Sequence, residues 1–254
     1  MRISFLAATI LFTLVACNKN DLPIGNGDRL EKVITTWGDS VAYTFLKYDQ
    51  YNRLIHIFDS NNHKKPNVTN TSIVYNTGDK ILNYTRSDEK GYQWSSSFRY
   101  NTDGHVTEQM ENGPNGPILT NRYTYDTRGR LIADTSYYRN NSIISYSTYK
   151  YDNNDNVVEW EHFLHNNLFN TLDRQWTVYF SYDTKLNSYR NLNRAVYFMG
   201  GRPELLSKNN LLRMRYNTVT IDYKYEYYNT GLPKRISLEK NDSNIPSFTE
   251  FFFH

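Results

Sequence analysis

The 254-residue chain has a single cysteine, Cys17, so no disulfide can form within it and no thiolate cluster can hold zinc. Neither sign of charge dominates. There are 29 basic and 26 acidic residues, no Lys/Arg cluster stands out, and a nucleic-acid partner is excluded on that ground. No G-x-S-x-G, phosphate loop, H-E-x-x-H or cysteine nucleophile is present, so no catalytic residue, metal ligand or cofactor is assigned. Aliphatic residues are sparse, whereas 23 Tyr and 13 Phe are abundant. The core must therefore be aromatic, and that content argues against disorder despite a mean hydropathy of −0.73.

An apolar run at the N-terminus follows Met1-Arg2 and extends from Ile3 to Val15. As a helix it would rise only about 20 Å, short of a bilayer core of roughly 30 Å, and it reads as a secretion signal. It ends in Leu14-Val15-Ala16-Cys17, which resembles the lipobox of bacterial lipoproteins. That resemblance implies cleavage before Cys17 and lipidation of its thiol and new amine, with the lipid bilayer as partner. Residues 1–16 are then the signal peptide and 17–28 a short polar tether with Pro23, Gly25 and Gly27. By similarity to known sorting rules Asn18 favours the outer membrane. Asp21 is the one acidic residue near the anchor, which leaves the periplasmic and surface sides both open.

Residues 29–254 carry a repeat. Tyr-Asp or Tyr-Asn pairs begin at Tyr48, Tyr75, Tyr100, Tyr125, Tyr151 and Tyr182, with a degenerate copy at Tyr227-Tyr228-Asn229. The first five are 25–27 residues apart; intervals of 31 and 45 follow. Four residues after each Tyr stand Asn52, Asp79, Gly104, Gly129, Asp155, Leu186 and Gly231; six after stand Leu54, Ile81, Val106, Leu131, Val157, Ser188 and Pro233. Alternation before the turn, as in Tyr123-Thr124-Tyr125, puts aromatics on one sheet face and Thr, Lys or Arg on the other. The Asp or Asn starts a turn, the fourth residue tolerates positive φ, and the aliphatic residue opens the return strand.

These residues resemble the YD repeats of RHS-type proteins, in the short lipoprotein form found in Bacteroidota. Tyr125-Asp126-Thr127-Arg128-Gly129-Arg130-Leu131 is the best copy, and the resemblance covers about residues 43–238. It implies architecture rather than activity. Large RHS proteins use such repeats as a shell around a toxin, but this chain is too short to enclose a folded domain.

Seven hairpins predict an all-β antiparallel meander of about twelve to fourteen strands, in a strongly curved or barrel-like rolled sheet with Tyr and Phe inside. A flat single-layer β solenoid is the alternative, and a transmembrane barrel a third arrangement. The Phe251-Phe252-Phe253 run reads as a final strand closing the sheet. An irregular insertion at 188–213 breaks the repeat after Tyr182; it either caps an edge or serves function.

Asp152-Asn153-Asn154-Asp155-Asn156 places oxygens as calcium loops do, but lacks the later Gly and Glu and reads as turn chemistry. His162 and His165 read as surface histidines, and Glu159 and Glu161 as solvated charges rather than paired catalytic carboxylates. The four tryptophans, Trp37, Trp94, Trp160 and Trp176, suit either an aromatic core or ring-stacking on sugars. Trp94, Trp160 and, in the insertion, Arg202 are the candidate binding residues. The expectation is a non-enzymatic outer-membrane lipoprotein that binds a glycan or an envelope protein; an envelope scaffold and a polysaccharide hydrolase are the alternatives.

Overall fold

The structure, a computed structural model, describes residues 29–62, 67–166, 168–187, 189, 203–241 and 243–253. The lipobox, Cys17 and Arg202 lie outside the described residues. The chain forms β1 (Leu30–Trp37), β2 (Ser40–Tyr48), β3 (Leu54–Asn61), β4 (Asn67–Tyr75), β5 (Ile81–Asp88), β6 (Gln93–Tyr100), β7 (Val106–Gly113) and β8 (Gly116–Tyr125). It continues through β9 (Leu131–Tyr138), β10 (Ile143–Tyr151), β11 (Val157–Asn166), β12 (Thr171–Leu186), β13 (Asn209–Tyr216), β14 (Val219–Tyr227), β15 (Pro233–Lys240) and β16 (Ser243–Phe253). Every strand pairs antiparallel with its neighbours in sequence, and β16 pairs back onto β1, closing the sheet into a barrel. The flat solenoid is thereby excluded. The seven Tyr-centred hairpins supply fourteen strands; β1 and β16 add the two that close the ring, and the Phe run is the closing strand.

The turns have the chemistry their residues dictate. In the Tyr125 unit, Asp126 Oδ1 accepts the backbone N–H groups of Arg128 and Arg130 at 2.9 Å. Asp49, Asn76 and Asp152 hold the amides two and four residues on in the same way. The fourth-place residues Asn52, Asp79, Gly104, Gly129, Asp155 and Gly231 all have φ between 58° and 87°, the left-handed region that Gly, Asn and Asp tolerate best. Asp152–Asn156 is therefore one more copy of this turn.

Each return strand then carries a bulge. Tyr125 pairs with Leu131, but Thr124 pairs with Ala133, so one residue is extra. The same slip follows Tyr48, Tyr75, Tyr100, Tyr151 and Tyr227. A bulge shifts the inside–outside phase by one position. After Leu131 the next inward residue is Asp134, and after Val157 it is Trp160 rather than Glu159.

The repeats couple to one another through their tyrosines. The Tyr48, Tyr75, Tyr100, Tyr125, Tyr151 and Tyr182 hydroxyls donate to the carbonyls of Leu30, Leu54, Ile81, Val106, Leu131 and Val157 at 2.7–2.9 Å. Each reaches back to the residue that opens the preceding return strand, and Tyr228 closes the series onto the Phe251 carbonyl. The rings are covered too: Arg53 lies over Tyr75, Lys80 over Tyr100 and Arg130 over Tyr151, while His105 stacks on Tyr125. Those four residues all stand five places after a repeat tyrosine. Cation–π contacts of this kind add roughly 0.5–1 kcal/mol each at exposed sites.

The barrel interior is layered. At the turn end the strand-opening residues Leu30, Leu54, Ile81, Val106, Leu131, Val157 and Phe251 are each at most 6 % exposed, and they fill the lumen together with the repeat tyrosines. Toward the other end, the rim, inward positions become polar, as at Thr71, Ser96, Gln109, Ser145 and Ser147. The outer wall carries cross-strand ion pairs, Lys150–Glu159, Arg174–Glu161, Arg213–Asp222, Lys224–Glu239 and Arg99–Glu108–Arg122. One apolar area lies at the closing seam, where Lys32 Nζ sits 5.3–5.7 Å from the rings of Tyr43, Phe45 and Phe252.

The sixth unit departs from the pattern because its turn is not made. β12 runs on to Leu186, which pairs with Asn209, and Asp183 accepts the backbone N–H of Asn210 across the break. Of the insertion, Asn209–Arg213 belong to β13, and Pro203–Leu206 form one 3-10 turn. Leu205 and Leu206 pack on the core, Ser207 is buried, and Tyr189 meets Phe251 edge-on at 5.6 Å. The described part of the insertion packs at the turn end.

The buried tyrosines set a limit at high pH. Burial pushes Tyr100 up to about 12 and the Tyr48 and Tyr182 phenols further still. A folded pKa raised above the ordinary value of about 10 gives stability that is intact below that pH and lost as the pH rises through the folded values. Alkaline titration is expected to show some phenolate absorbance appearing only as the sheet signal in circular dichroism collapses. Uniform ionisation of all tyrosines near pH ~10 with the sheet intact would contradict this.

Candidate ligand-binding cavity

At the rim end the lumen opens into a cavity of about 700 Å³ between β4 and β11, within the usual ~300–1,000 Å³ range of small-molecule sites. Its walls are ring-bearing: Trp94 and Tyr84 on one side, Tyr123, Tyr149 and Trp160 on the other. Between them stand Arg86, Asp88, Gln109, Glu111, Asn121, Asp134, Ser136, Ser147 and His162. The inward phase after each bulge is what delivers Gln109 and Glu111 from β7, Asp134 and Ser136 from β9, and Trp160 and His162 from β11.

The polar groups form two networks. In the first, Gln109 is 1 % exposed; its Nε2 donates to Ser96 at 3.1 Å and its Oε1 accepts from Tyr123 at 2.6 Å. Glu111 Oε1 accepts from Asn121 at 3.1 Å, and Asn121 Oδ1 accepts from Ser136 at 2.6 Å. In the second, the Tyr149 hydroxyl donates to Asp134, and Ser147 Oγ lies 3.0 Å from His162 Nδ1. His162 stacks on Trp176 with centroids 4.4 Å apart, and Trp176 meets Trp160 edge-on.

The electrostatics follow from desolvation. Burial pushes Asp134 up to about 6, only partly offset by its bonds from Tyr149 and Ser147. Burial also raises Glu111, moderated by Asn121 and the charge of Arg86, and lowers His162, which favours its neutral form. An Asp whose folded pKa is raised costs stability while ionised; that cost is present above about 6 and is relieved as the pH falls toward about 4. Asp134→Asn, which keeps an oxygen for Tyr149, is therefore expected to stabilise the fold by about 1–2 kcal/mol at pH ~8 and by little at pH ~4. Urea midpoints at the two pH values check this, and a loss of stability at the higher one would refute it.

Both candidate tryptophans line this cavity. Trp94 is 37 % exposed at the mouth beside Tyr92, and Trp160 forms the inner wall. The Trp160 indole nitrogen is buried and has no hydrogen-bond partner among the described residues. His162 faces the lumen, contrary to its reading as a surface residue, because the bulge after Val157 turns it inward; His165 sits near the rim, 3.2 Å from Asn170. Glu159 and Glu161 point outward into ion pairs with Lys150 and Arg174 and do not converge on a cleft. The carboxylates that do share a cavity are Asp88, Glu111 and Asp134, which sequence reasoning did not single out.

No known family matches this sequence, and no curated protein does. Among solved structures, a porin-like protein from Bacteroides uniformis superposes with a TM-score of 0.60 at 12 % identity, covering 89 % of this chain and 96 % of that one. A porin-like protein from Bacteroides vulgatus gives a TM-score of 0.44 at 11 % identity, over 89 % and 98 % of the two chains. A chain of the TcdB2–TccC3–Cdc42 crystal structure gives 0.34 at 14 % identity, over 84 % of this chain and 10 % of that one. The first of these likenesses extends to the barrel fold and no further.

Proposed function

We propose that this is a non-enzymatic cell-envelope lipoprotein whose barrel holds a small saccharide-like ligand in its rim-end cavity. The observation that carries the reading is the cavity itself, about 700 Å³ walled by the rings of Trp94, Tyr84, Tyr123, Tyr149 and Trp160 with hydroxyls, amides and carboxylates between them. Ring faces combined with side-chain amides and carboxylates suit hydroxylated rings.

Two features argue against a conducting pore. The lumen is filled at the turn end, and the outer wall carries ion pairs on β6–β8 and β10–β15 where a spanning barrel needs an apolar band. The lipobox at Cys17 supports anchorage by acyl chains instead, in the outer membrane and on either side of it.

Glycan-array binding by the purified protein tests the ligand reading. Trp160→Ala, which removes a ring from the cavity wall, is expected to weaken the best hit about three- to tenfold. An array with no hits would overturn the reading in favour of an envelope-protein partner or a scaffold. For the anchor, Cys17→Ser is expected to move the protein from the membrane to the soluble fraction.

A further inference from the structure

We infer that the rim-end cavity selects a ligand bearing an ammonium group, an amino sugar being the class that meets both its ring walls and its unanswered carboxylate. This rests on the cavity reading above and adds a charge to it. Three carboxylates line the cavity, Asp88, Glu111 and Asp134, against one guanidinium, Arg86. The excess is local, since the chain as a whole is slightly basic. It also contrasts with the outer wall, where carboxylates sit in ion pairs with Lys or Arg across the strands.

Within the cavity the carboxylates are not equivalent. Glu111 has the charge of Arg86 nearby and an amide from Asn121. Asp134 is held by neutral hydroxyls, Tyr149 and Ser147, and makes no ion pair among the described residues. A desolvated carboxylate without a cation is costly, and a site that keeps one gains most from a partner that supplies the positive charge. Aromatic faces add to that preference, because a cation is attracted to the π-face and a sugar ring stacks on it. Tyr149 pairs in register with Trp160, so the carboxylate held by Tyr149 and the Trp160 ring belong to one wall. An ammonium-bearing sugar ring satisfies both: the ammonium donates to Asp134, and the ring stacks on the aromatic wall.

The test compares glucosamine, N-acetylglucosamine and glucuronate by calorimetry and tryptophan fluorescence. At pH ~7 glucosamine is expected to bind at least tenfold tighter than N-acetylglucosamine, and glucuronate weakest. Lowering the pH to ~5 protonates most of a carboxylate titrating near 6 while the amine stays charged, so the preference should fall about tenfold in the unaltered protein. Asp134→Asn should remove the preference at both pH values, chiefly by weakening glucosamine. Equal binding of the amine and its acetylated form, or a preference that survives both low pH and Asp134→Asn, overturns the charge assignment while the saccharide reading stands. No binding by any of the three overturns both.

Discussion

Phe251→Ala is expected to lower the stability of the barrel by about 3–5 kcal/mol, the usual cost of emptying a fully buried aromatic site. Phe251 is 1 % exposed on β16, opposite Val33 of β1, and packs in the cluster that includes Leu30, Leu46 and Leu54. Its carbonyl also receives the Tyr228 hydroxyl and its ring meets Tyr189. The location matters as much as the area lost, because β1–β16 joins the first and last strands of the sheet, which no connecting segment links. Once it opens, two unpaired edges are exposed to other chains. The neighbouring Phe252→Ala removes a ring from the outer wall, where Phe252 is 40 % exposed beside Lys32, and should cost under about 1 kcal/mol. Denaturant midpoints of the pair, with light scattering to detect association, decide the matter; comparable losses would show that the seam is not closed by this side chain.

Asn156→Ala is expected to cost about 2–4 kcal/mol through lost polar contacts rather than lost apolar area. Asn156 is 2 % exposed. Its Nδ2 donates to Asp152 Oδ2 and Asn209 Oδ1, both at 3.1 Å, and its Oδ1 accepts the Asn209 N–H at 2.9 Å. Truncation leaves a buried amide at Asn209 with nothing to receive it. Next to it the Val157 N–H donates to Ser207 Oγ, Ser207 to the Tyr182 hydroxyl, and Tyr182 back to the Val157 carbonyl. That closed ring of bonds joins the far side of the insertion to the fifth turn in place of the sixth turn that is not made. The variant should therefore show a lower denaturant midpoint together with faster proteolysis between Leu186 and Asn209. A midpoint unchanged within about 0.5 kcal/mol would mean that the insertion is held by Leu205 and Leu206 alone.

Turn chemistry was legible from the residues themselves. Asn52, Asp79 and Gly129 share little beyond tolerance of positive φ, and that tolerance is what the backbone uses. The inward tyrosines were legible because period-two alternation with a basic or hydroxylated partner admits one orientation near the turn. Closure was legible in the Phe251-Phe252-Phe253 run read as the closing strand, but its partner β1 was not, because β1 carries no Tyr-Asp pair and resembles an ordinary strand. The cavity was illegible for two reasons. Each bulge shifts the phase by one residue, so Asp134 and Trp160 fall on the face opposite to the one alternation from Leu131 and Val157 assigns them. Beyond the middle of each strand both faces are polar, and then pattern carries no information about which side is in. The basic or histidine residue five places after the tyrosine, Arg53, Lys80, His105 and Arg130, was a readable signal. It needed a ring to cover before it meant anything.

Through Tyr182 the tyrosine ladder runs head to tail, each unit holding the one before it; Tyr228 reaches forward to β16, and the two terminal strands together complete the circle as a split final unit. A ring assembled from such modules has no preferred number of members. Duplicating or deleting one segment of about 25 residues would insert or remove two strands and leave every turn and every hydroxyl-to-carbonyl link in register. Bore grows with strand number, so unequal recombination between neighbouring copies would resize the lumen in discrete steps without inventing a new interface. In a protein built this way the width of the cavity is a heritable count.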